Sequence, residues 1–578
     1  MNKSFHRLSL GLLIGLIVAG LELILVRASS GMRTDVVTLN DLGGAVRLLA
    51  AGGLLGAAFS LLFRPLPNGQ ADNIMSGFVL GIIAWVILAV NIFPLSQANT
   101  PMWDVQFTGS IFPKLVAYVV QGMLVGLLYG LVYERFGPAT AVSEPPTPQA
   151  QTNVVIIGGG YAGVSAAQAL DEAFAHDPET AVWLVSETNY LVHTPMLSEV
   201  SASAVNAQNI SPPLRSFFKR VYVVQGQVAQ VDWEAGQVTL TPNKRSSRRQ
   251  IPFDHLVMTA GSVPNYFGNE KIETYTLTFK TLNDSMRLRN RVIDLFERAD
   301  FETDPVRKRQ MLTFVVIGGG FAGVELIGGL NDFGRGMLPH YPNLKQEDLR
   351  FVLIHTREVI LPELSPELGL FAQEKMAARG VEFILNMRVT DAQSGKCLMG
   401  EDEIASDTMV WTAGNRPSPI IAKLGVNVTR RGQIPVAATM QSVERPNLWA
   451  AGDCAQIPDP NNDGKFYPPT AQHALREGKL LGKNVAAAIG GERLKPFSFK
   501  TLGSLAALGH QLAVAEFFGY RFSGFLAWLM WRGIYLSKLP SFEKQLRVLF
   551  DWVLDIFFPP DIVQTISFDE PEEEEIKA

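Results

Sequence analysis

Four long apolar stretches fill most of the first 135 residues of the 578-residue chain. Each holds about 20 residues, enough at about 1.5 Å per residue to cross a hydrocarbon layer of roughly 30 Å. Because three more stretches follow the first, the pattern predicts an all-α transmembrane bundle of four helices over residues 1–136 rather than a cleaved signal peptide. The stretches are Leu8–Val26, Leu42–Phe63, Ile74–Leu95 and Ile111–Val132.

Charged and small residues predict two kinds of contact within this bundle. Glu22 and Arg47 fall at similar depths in the first hairpin, and we expect them to form an ion pair because either charge alone in lipid would be costly. Gly122, Gly126 and Gly130 give the fourth stretch a small face. Such faces allow two helices to approach closely, so we expect a neighbouring helix to pack there.

One short motif occurs twice after a linker rich in Pro and small polar residues at positions 137–152. VVIIGGGYAGVSAAQAL begins at Val154, and TFVVIGGGFAGVELIGGL begins at Thr313. In each copy a buried strand runs into a GxGxxG turn and then a helix. The first glycine permits the tight turn, the second lets the backbone approach a pyrophosphate, and the third lets the helix pack on the strand. The sequence therefore predicts two Rossmann-like dinucleotide-binding domains, with glycines Gly158, Gly160, Gly163, Gly318, Gly320 and Gly323.

The end of the second strand of each domain is where a ribose is usually bound. In the first domain, strand Ala181–Val185 runs to Ser186 and Glu187, and the carboxylate could accept the ribose hydroxyls. In the second domain, strand Arg350–Ile354 ends at His355 instead of an acid.

A third element indicates which dinucleotide each of the two sites binds. The strand in LWAAGDCAQIP runs into Asp453, the position that contacts FAD in two-dinucleotide flavoproteins. The first turn is therefore predicted to bind FAD and the second a nicotinamide nucleotide, NADH or NADPH. Return segments are expected to line the two sites with Ala260, Gly261, Ala413 and Gly414. The predicted divisions are residues 153–312 and 415–495 for FAD, and 313–414 for NAD(P)H.

The composition argues against several classes of partner and site. The net charge is −5 and no long basic stripe occurs, so nucleic acid is not an expected partner. The two cysteines, Cys397 and Cys454, form no CxxC pair, which argues against a disulfide framework, a zinc ribbon or an iron–sulfur cluster. No metal site is predicted. We expect Cys454 to be a packing residue and Cys397 to lie near a surface turn.

Residues from about Asn153 to Gln564 resemble the type II NADH dehydrogenases, which are single-subunit, non-pumping NADH:quinone oxidoreductases. Besides the dinucleotide elements, three segments are similar: NYLVHTPMLSEV from Asn189, FKTLNDSMRLRNRV from Phe279 and PPTAQHALREGKLLGKN from Pro468. The resemblance implies that a hydride passes from NADH to FAD and that two electrons then pass to a membrane quinone.

The resemblance also implies individual site residues. Glu325 would lie close to the nicotinamide and the flavin, and Gln472 on the side of the flavin that faces NADH and quinone. These two are the predicted catalytic residues. Further residues implied to bind FAD are Thr194, Pro195, Val228, Ala471 and Ala474.

Three positions depart from the pattern of the family. Glu187 is displaced by one place from the usual acid or serine position, which Ser186 occupies. His355 stands where NAD-specific members have an acid, and with Arg357 nearby NADPH becomes an alternative donor. Arg476 replaces the second glutamine of the AQxAxQ run, which changes the expected quinone contacts.

The C-terminal segment, residues 496–565, resembles the membrane-binding helices of the family. Its apolar runs Ala527–Leu539 and Leu546–Phe558 are too short to span, and their aromatic and basic residues suit the membrane interface. A homodimer surface is a compatible alternative, and residues 566–578 are predicted to be a disordered acidic tail. The interfacial residues are expected to be Trp528, Trp531, Arg532, Lys538, Lys544, Arg547 and Trp552.

The sequence thus predicts an α/β flavoprotein held at the inner (plasma) membrane by a multi-pass anchor that the family pattern lacks. Lys3, Arg7, Arg64 and Arg135 favour a cytoplasmic face for the nucleotide-binding domains. Two alternatives remain: an FAD-containing NAD(P)H oxidase or reductase with a soluble acceptor, and a redox sensor of the apoptosis-inducing-factor type with low turnover.

Overall fold

The computed structural model describes residues 3–28, 42–63, 70–85, 87, 105–136, 150–241, 249–462 and 464–566. The chain divides into two compact units, Met1–Val142 and Ser143–Ala578.

Four helices of the first unit pack closely in pairs through glycines. The first pair meets at Gly15 and Gly52, and the second pair at Gly77 and Gly122; a side chain on any of these would clash with the backbone of the partner helix. Gly126 likewise faces the backbone of the third helix, so the predicted small face of the fourth helix is confirmed. The helices are Lys3–Ala28, Leu42–Leu62, Gln70–Ala84 and Val105–Phe136.

The predicted four spans are not confirmed. Among the described residues, one helix is long and apolar enough to cross a membrane, Leu115–Tyr133, with 19 residues and a mean hydropathy of 2.0. The other three helices contain shorter apolar segments of 10–17 residues. Much of the predicted stretch Ile74–Leu95 lies outside the described residues, as do the side chains of Glu22 and Arg47.

We expect the close helix contact in the first unit to be sensitive to side-chain volume at one face only. Gly77→Val should lower the melting temperature of this unit in detergent, because the new side chain would meet the backbone of Gly122. Gly20→Val is the matched control, since no described heavy atom lies within 4 Å of a Cβ built there. Equal melting temperatures for the two variants would contradict this packing.

Two parallel five-stranded sheets form the frame of the second unit. In each sheet the strand before a GxGxxG turn lies at the centre, and the chain continues in opposite directions on its two sides. The first sheet has the spatial order Leu448–Ala450, His255–Met258, Thr152–Ile157, Thr180–Ser186, Tyr222–Gln225. The second has the order Val381–Ile384, Arg350–Ile354, Thr313–Ile317, Thr408–Trp411, Leu277–Thr278. Both predicted dinucleotide-binding folds are confirmed.

The second domain begins earlier than residue 313. Strand Leu277–Thr278 pairs with strand Thr408–Trp411 at the edge of the second sheet. Helix Leu282–Phe301 buries Leu288, Val292 and Phe296 in the core of that sheet, so these residues belong with it. The predicted boundary followed the repeated motif, whereas the apolar face of the preceding helix sets the actual one.

Smaller elements complete the second unit. Helices Tyr161–Ala173 and Phe321–Met337 follow the two turns, and Ala471–Ile489 packs on the first of them. Further short or medium helices are Leu197–Ser201, Glu270–Tyr275, Pro305–Met311 and Pro366–Ala378. Three antiparallel sheets have the strands Val228–Asp232, Gln237–Leu240 and Arg249–Pro252; Asp391–Gln393, Lys396–Met399 and Asp402–Ala405; and Gly503–Ala507, Ala513–Phe517 and Tyr520–Gly524.

Both cysteines are buried free thiols. Cys454 packs in the core of the first sheet, as expected. Cys397 follows closely on the surface turn at residues 394–395, as expected, but its side chain is fully buried on strand Lys396–Met399, where it packs with residues of the second sheet.

The C-terminal helices are Phe525–Lys538 and Phe542–Phe557. Both have a buried and an exposed face, but the tryptophans lie on the buried face and not at the membrane interface as predicted. Trp528, Trp531 and Trp552 are buried with Arg532, so they are not interfacial anchors. Two of the indole N–H groups bind carboxylates of the domain body, which holds the rings inward. Besides the charged side chains of Lys538, Glu543 and Arg547, the large exposed residues are aliphatic and phenylalanine side chains, namely Phe525, Leu526, Leu529, Leu549, Phe550, Val553, Leu554, Ile556, Phe557 and Phe558.

Candidate functional site

The first GxGxxG turn has the geometry of a phosphate-binding site. Gly158 has φ +114°, in the region that favours glycine, and Gly163 lies so close to the carbonyl of Gly158 that a side chain would clash. At Gly160, by contrast, a Cβ would meet none of the described heavy atoms within 4 Å. Gly160 begins the following helix without a side-chain cap, so the first N–H groups of that helix face open space. Such a helix start binds anions.

The second turn repeats this arrangement. Gly318 has φ +121°, Gly323 lies against the carbonyl of Gly318, and the nearest atom to a Cβ at Gly320 is a Glu363 carboxylate oxygen at 3.5 Å. Gly320 also begins its helix without a side-chain cap. The chain thus contains two open cradles for a diphosphate, each at the carboxyl edge of a parallel sheet.

A threonine holds each turn in place from the returning strand. Thr259 donates its hydroxyl to the carbonyls of Ile157 at 3.0 Å and Gly158 at 3.1 Å. Thr412 repeats both contacts with the second turn, at 3.0 and 3.1 Å. Because of these bonds, the segments just after the threonines lie beside the turns. They are the ones predicted to line the sites: Ala260 and Gly261, and Ala413 and Gly414.

The residues at the ends of the second strands differ between the two sites. Ser186 is buried beside Gly159, whereas the side chain of Glu187 is exposed. His355 accepts a hydrogen bond at Nδ1 from the main-chain N–H of Gly319 at 3.1 Å, which fixes its ring against the second turn. Burial and the charge of Arg357 lower the pKa of His355. Val228, the other residue predicted near the first site, is buried at the start of its strand.

Asp453 sits in a polar cluster that spans the two domains. Ser262 donates to its carboxylate, and the ammonium of Lys280 lies 3.6 Å from the same oxygen and 2.9 Å from the Ser262 hydroxyl. Lys280 and Ser262 are absent from the sequence-based site. The signal for Lys280 was its place in the similar segment that begins at Phe279.

Helix Ala471–Ile489 brings its N-terminus to the first turn. Gly478 lies against the carbonyl of Ala162, and a Cβ at Gly452 would be 3.4 Å from Ala162 and 3.9 Å from Ala474. The Thr470 side chain does not cap this helix, so the first N–H groups of the helix have no hydrogen bond from a capping side chain. The structure thus brings Asp453, Ala471 and Ala474 into the neighbourhood of the first turn.

Glu477 on this helix was missed by the sequence analysis. Its carboxylate accepts the main-chain N–H of Gly452 at 2.8 Å. Burial, with a further contribution from Asp453, raises the pKa of Glu477 to about 7.

Thr194 and Pro195 lie on a short helical turn next to an unexpected pair of side chains. The Tyr161 hydroxyl and His193 Nδ1 are 2.8 Å apart, which joins this turn to the first residue after Gly160. His193 is buried, and its Nε2 has no hydrogen-bond partner in the part of the chain that the structure describes. Burial lowers the pKa of His193 to about 4, so the ring is neutral at pH 7.

Both predicted catalytic residues form a hydrogen bond to the same strand. Glu325 accepts the N–H of Ala507 at 3.0 Å, and Gln472 donates to the carbonyl of Gly503 at 3.4 Å, at opposite ends of strand Gly503–Ala507. Trp531 also donates to Glu325, at 2.9 Å. Burial raises the pKa of Glu325 to about 8, so the carboxyl group carries a proton at pH 7.

Comparison with family models agrees with this geometry. The pyridine nucleotide-disulphide oxidoreductase model matches residues 152–478, and the NDH2 C-terminal domain model matches residues 501–560. The chain belongs to the type II NADH:quinone oxidoreductase family. Both matches lie within the second unit, so the first unit is outside them.

Individual relatives give the same picture. The type II NADH:quinone oxidoreductase NdhA of Mycobacterium tuberculosis is 29% identical over 71% of this chain and 88% of its own length. The demethylphylloquinone reductase NdbB of Synechocystis is 28% identical over 70% of this chain and 96% of its own. The fold of the Plasmodium falciparum NDH2 in complex with NADH is similar, with a TM-score of 0.65 and 17% identity over 72% of this chain and all of that one.

The first turn fits a dinucleotide such as FAD. The open space at Gly160, the uncapped N-termini of two helices and the side chain of Asp453 all meet there. The donors suit a diphosphate, and a second N-terminus suits an anionic ring edge.

The two glycines of the first turn should therefore respond differently to the same added methyl group. Gly163→Ala should destabilise the protein by about 1–3 kcal/mol, because its Cβ would clash with the Gly158 carbonyl. Gly160→Ala should leave the unfolding of flavin-free protein unchanged and lower the flavin content, since its Cβ occupies the open cradle. Thermal unfolding and the flavin absorbance of purified protein measure the two effects. A Gly160→Ala variant with full flavin content would contradict the assignment.

Proposed function

We propose that this protein is an NADH:quinone oxidoreductase of an electron-transport chain that uses FAD and does not pump protons. The observation that carries the proposal is the pair of open diphosphate cradles in a chain whose C-terminal segment matches the NDH2 domain. Relatives named for NADH and quinone support the donor and the acceptor. The overall reaction balances as NADH + H⁺ + quinone → NAD⁺ + quinol.

The residues of this chain bind and orient the reactants. Gly160 and the helix after it would hold the FAD diphosphate, and Gly320 would do the same for NADH. The N-terminus of helix Ala471–Ile489 would stabilise negative charge on the flavin ring. When bound, FAD accepts the hydride and supplies two electrons. Glu325 is a protonated acid at pH 7 and contacts the strand that also contacts Gln472, so we assign it a proton-donating role.

The exposed apolar face of the C-terminal helices would lie in the membrane surface. Nine large apolar side chains of these two helices are exposed, Phe550 by 62% and Phe557 by 75%, and Phe558 just after them is exposed too. Such a surface suits a lipid headgroup boundary, from which a hydrophobic quinone would approach. A second copy of the chain could cover the same face instead, which is the homodimer alternative.

The first unit would add a membrane anchor. Its exposed residues include Leu13, Leu54 and Leu62, whereas Asn73 and Gln121 are buried inside it. An apolar exterior with polar groups inside suits lipid better than water. With positively charged ends inside, the anchor would place the nucleotide-binding domains on the cytoplasmic face of the inner (plasma) membrane.

Anaerobic mixing with NADH, followed by addition of a quinone, tests the proposal. We expect the flavin absorbance near 450 nm to bleach rapidly and to recover when quinone is added. Recovery with oxygen or a soluble dye but not with quinone would indicate a soluble-acceptor oxidase. Slow bleaching would indicate a redox sensor with low turnover.

The donor preference depends on His355. Because no acid stands at this strand end and Arg357 is nearby, we propose that the second site admits the 2′-phosphate of NADPH as well as NADH. His355→Asp should lower kcat/KM for NADPH by at least about 10-fold through like-charge repulsion. The value for NADH serves as the internal control. An unchanged NADPH value would show that the ribose lies elsewhere.

A further inference from the structure

Two largely buried carboxyl groups of the domain body bind tryptophans of the C-terminal helices. Trp531 donates to Glu325 at 2.9 Å, and Trp552 donates to Glu199 at 2.8 Å. The two indole rings are 6.5 Å apart, so both pairs belong to one cluster. The role of Glu325 was assigned above, but Glu199 has no role in the reaction as derived so far.

The helices that carry the two glutamates are packed together. Glu199 lies on helix Leu197–Ser201, and Glu325 on helix Phe321–Met337. A Cβ at Gly329, one turn after Glu325, would be 3.4 Å from the carbonyl of Ser198. The two helices are thus in contact, and the charge of Glu199 contributes to raising the pKa of Glu325.

Burial also shifts the titration of Glu199 towards neutral pH. Burial raises its pKa to about 7, and Asp551 and Asp555 add to this effect. Arg532 and the indole N–H of Trp552 oppose it. Together with Glu325, these are the charged groups and donors that face Glu199 from the elements packed against it.

The cluster has a side that reaches solvent. Arg532 lies between the rings of Trp528 and Trp552, with its guanidinium 4.0 Å from Glu199 and 3.9 Å from Asp555. The exposed fraction of the side chain rises from 10% for Arg532 and 14% for Glu199 to 22% for Asp555. Asp555 is the most exposed of these three side chains and therefore marks the outer end of the cluster.

We propose that Glu199 is a proton-relay residue, which takes up protons from solvent at the Asp555 side and passes them towards Glu325. This inference rests on the proposed function. Quinol formation needs two electrons and two protons; the hydride of NADH supplies both electrons and one proton, and water must supply the other. The relay supplies that second proton: the O–H bond of Glu199 breaks as Glu325 is reprotonated, and Glu199 is then reprotonated from water.

The test separates the two half-reactions in the full-length holoenzyme. The glutamine of Glu199→Gln can still accept the hydrogen bond from Trp552, but its amide group has no titratable proton. We expect flavin reduction by NADH to stay within about 2-fold of the unmodified enzyme, and flavin reoxidation by quinone to slow by about 10-fold or more. The pH dependence of reoxidation near neutrality should also disappear. Glu199→Asp should restore part of the rate.

A second readout needs neither NADH nor quinone. Infrared difference spectra of the oxidised protein across about pH 5 to 9 should show a protonated carboxyl group that titrates near neutrality and is lost in Glu199→Gln. Its absence from the unmodified protein would overturn the proposal even if the variant failed to fold. Glu297→Gln is the matched control, because Glu297 also accepts from an aromatic donor, the Tyr341 hydroxyl at 2.8 Å, but lies at the surface.

The outcomes distinguish the relay from the function itself. An unmodified enzyme whose reduced flavin is not reoxidised by quinone would contradict the proposed function. If the unmodified enzyme passes that test and Glu199→Gln keeps its reoxidation rate and its pH profile, only the relay is wrong.

Discussion

The close approach of a helix to the end of its strand is the constraint on which both nucleotide sites depend. Gly163 and Gly323 each lie against a carbonyl of their own turn, at a distance that excludes any side chain. Thr259 and Thr412 bond to the same turns from the returning strands. As a result the strand end, the helix start and the return segment form one corner, and the first N–H groups of the helix have no partner within the helix itself.

The rest of the first site is built on that corner. Helix Ala471–Ile489 reaches it because Gly478 lets the helix backbone touch the carbonyl of Ala162. Asp453 then lies within reach of Lys280, which comes from the segment that leads into the second domain. The cluster of Ser262, Lys280 and Asp453 thus links the two domains through polar contacts, at the place where two bound nucleotides would meet.

Local patterns were enough to predict the two sheets and their turns, because the GxGxxG spacing and the apolar strands carry that information within about 30 residues. The C-terminal tryptophans could not be placed in this way. Trp531 and Trp552 look like interfacial residues in their own segment, but their partners, Glu325 and Glu199, are more than 200 residues away in the chain. A tryptophan that satisfies a buried carboxyl group is more favourable inside than at a surface, and only the tertiary fold reveals the partner.

The C-terminal helices therefore have two faces with linked roles. Phe550, Val553 and Leu554 point outward on the helix that turns Trp552 inward to Glu199. If this helix pair moved away from the body, Glu325 and Glu199 would each lose an indole donor, and both carboxyl groups would gain access to water. Their pKa values would then fall towards the ordinary range, because burial is the main cause of the rise. The surface that would receive a hydrophobic acceptor and the acids that would protonate it are thus parts of one packing arrangement.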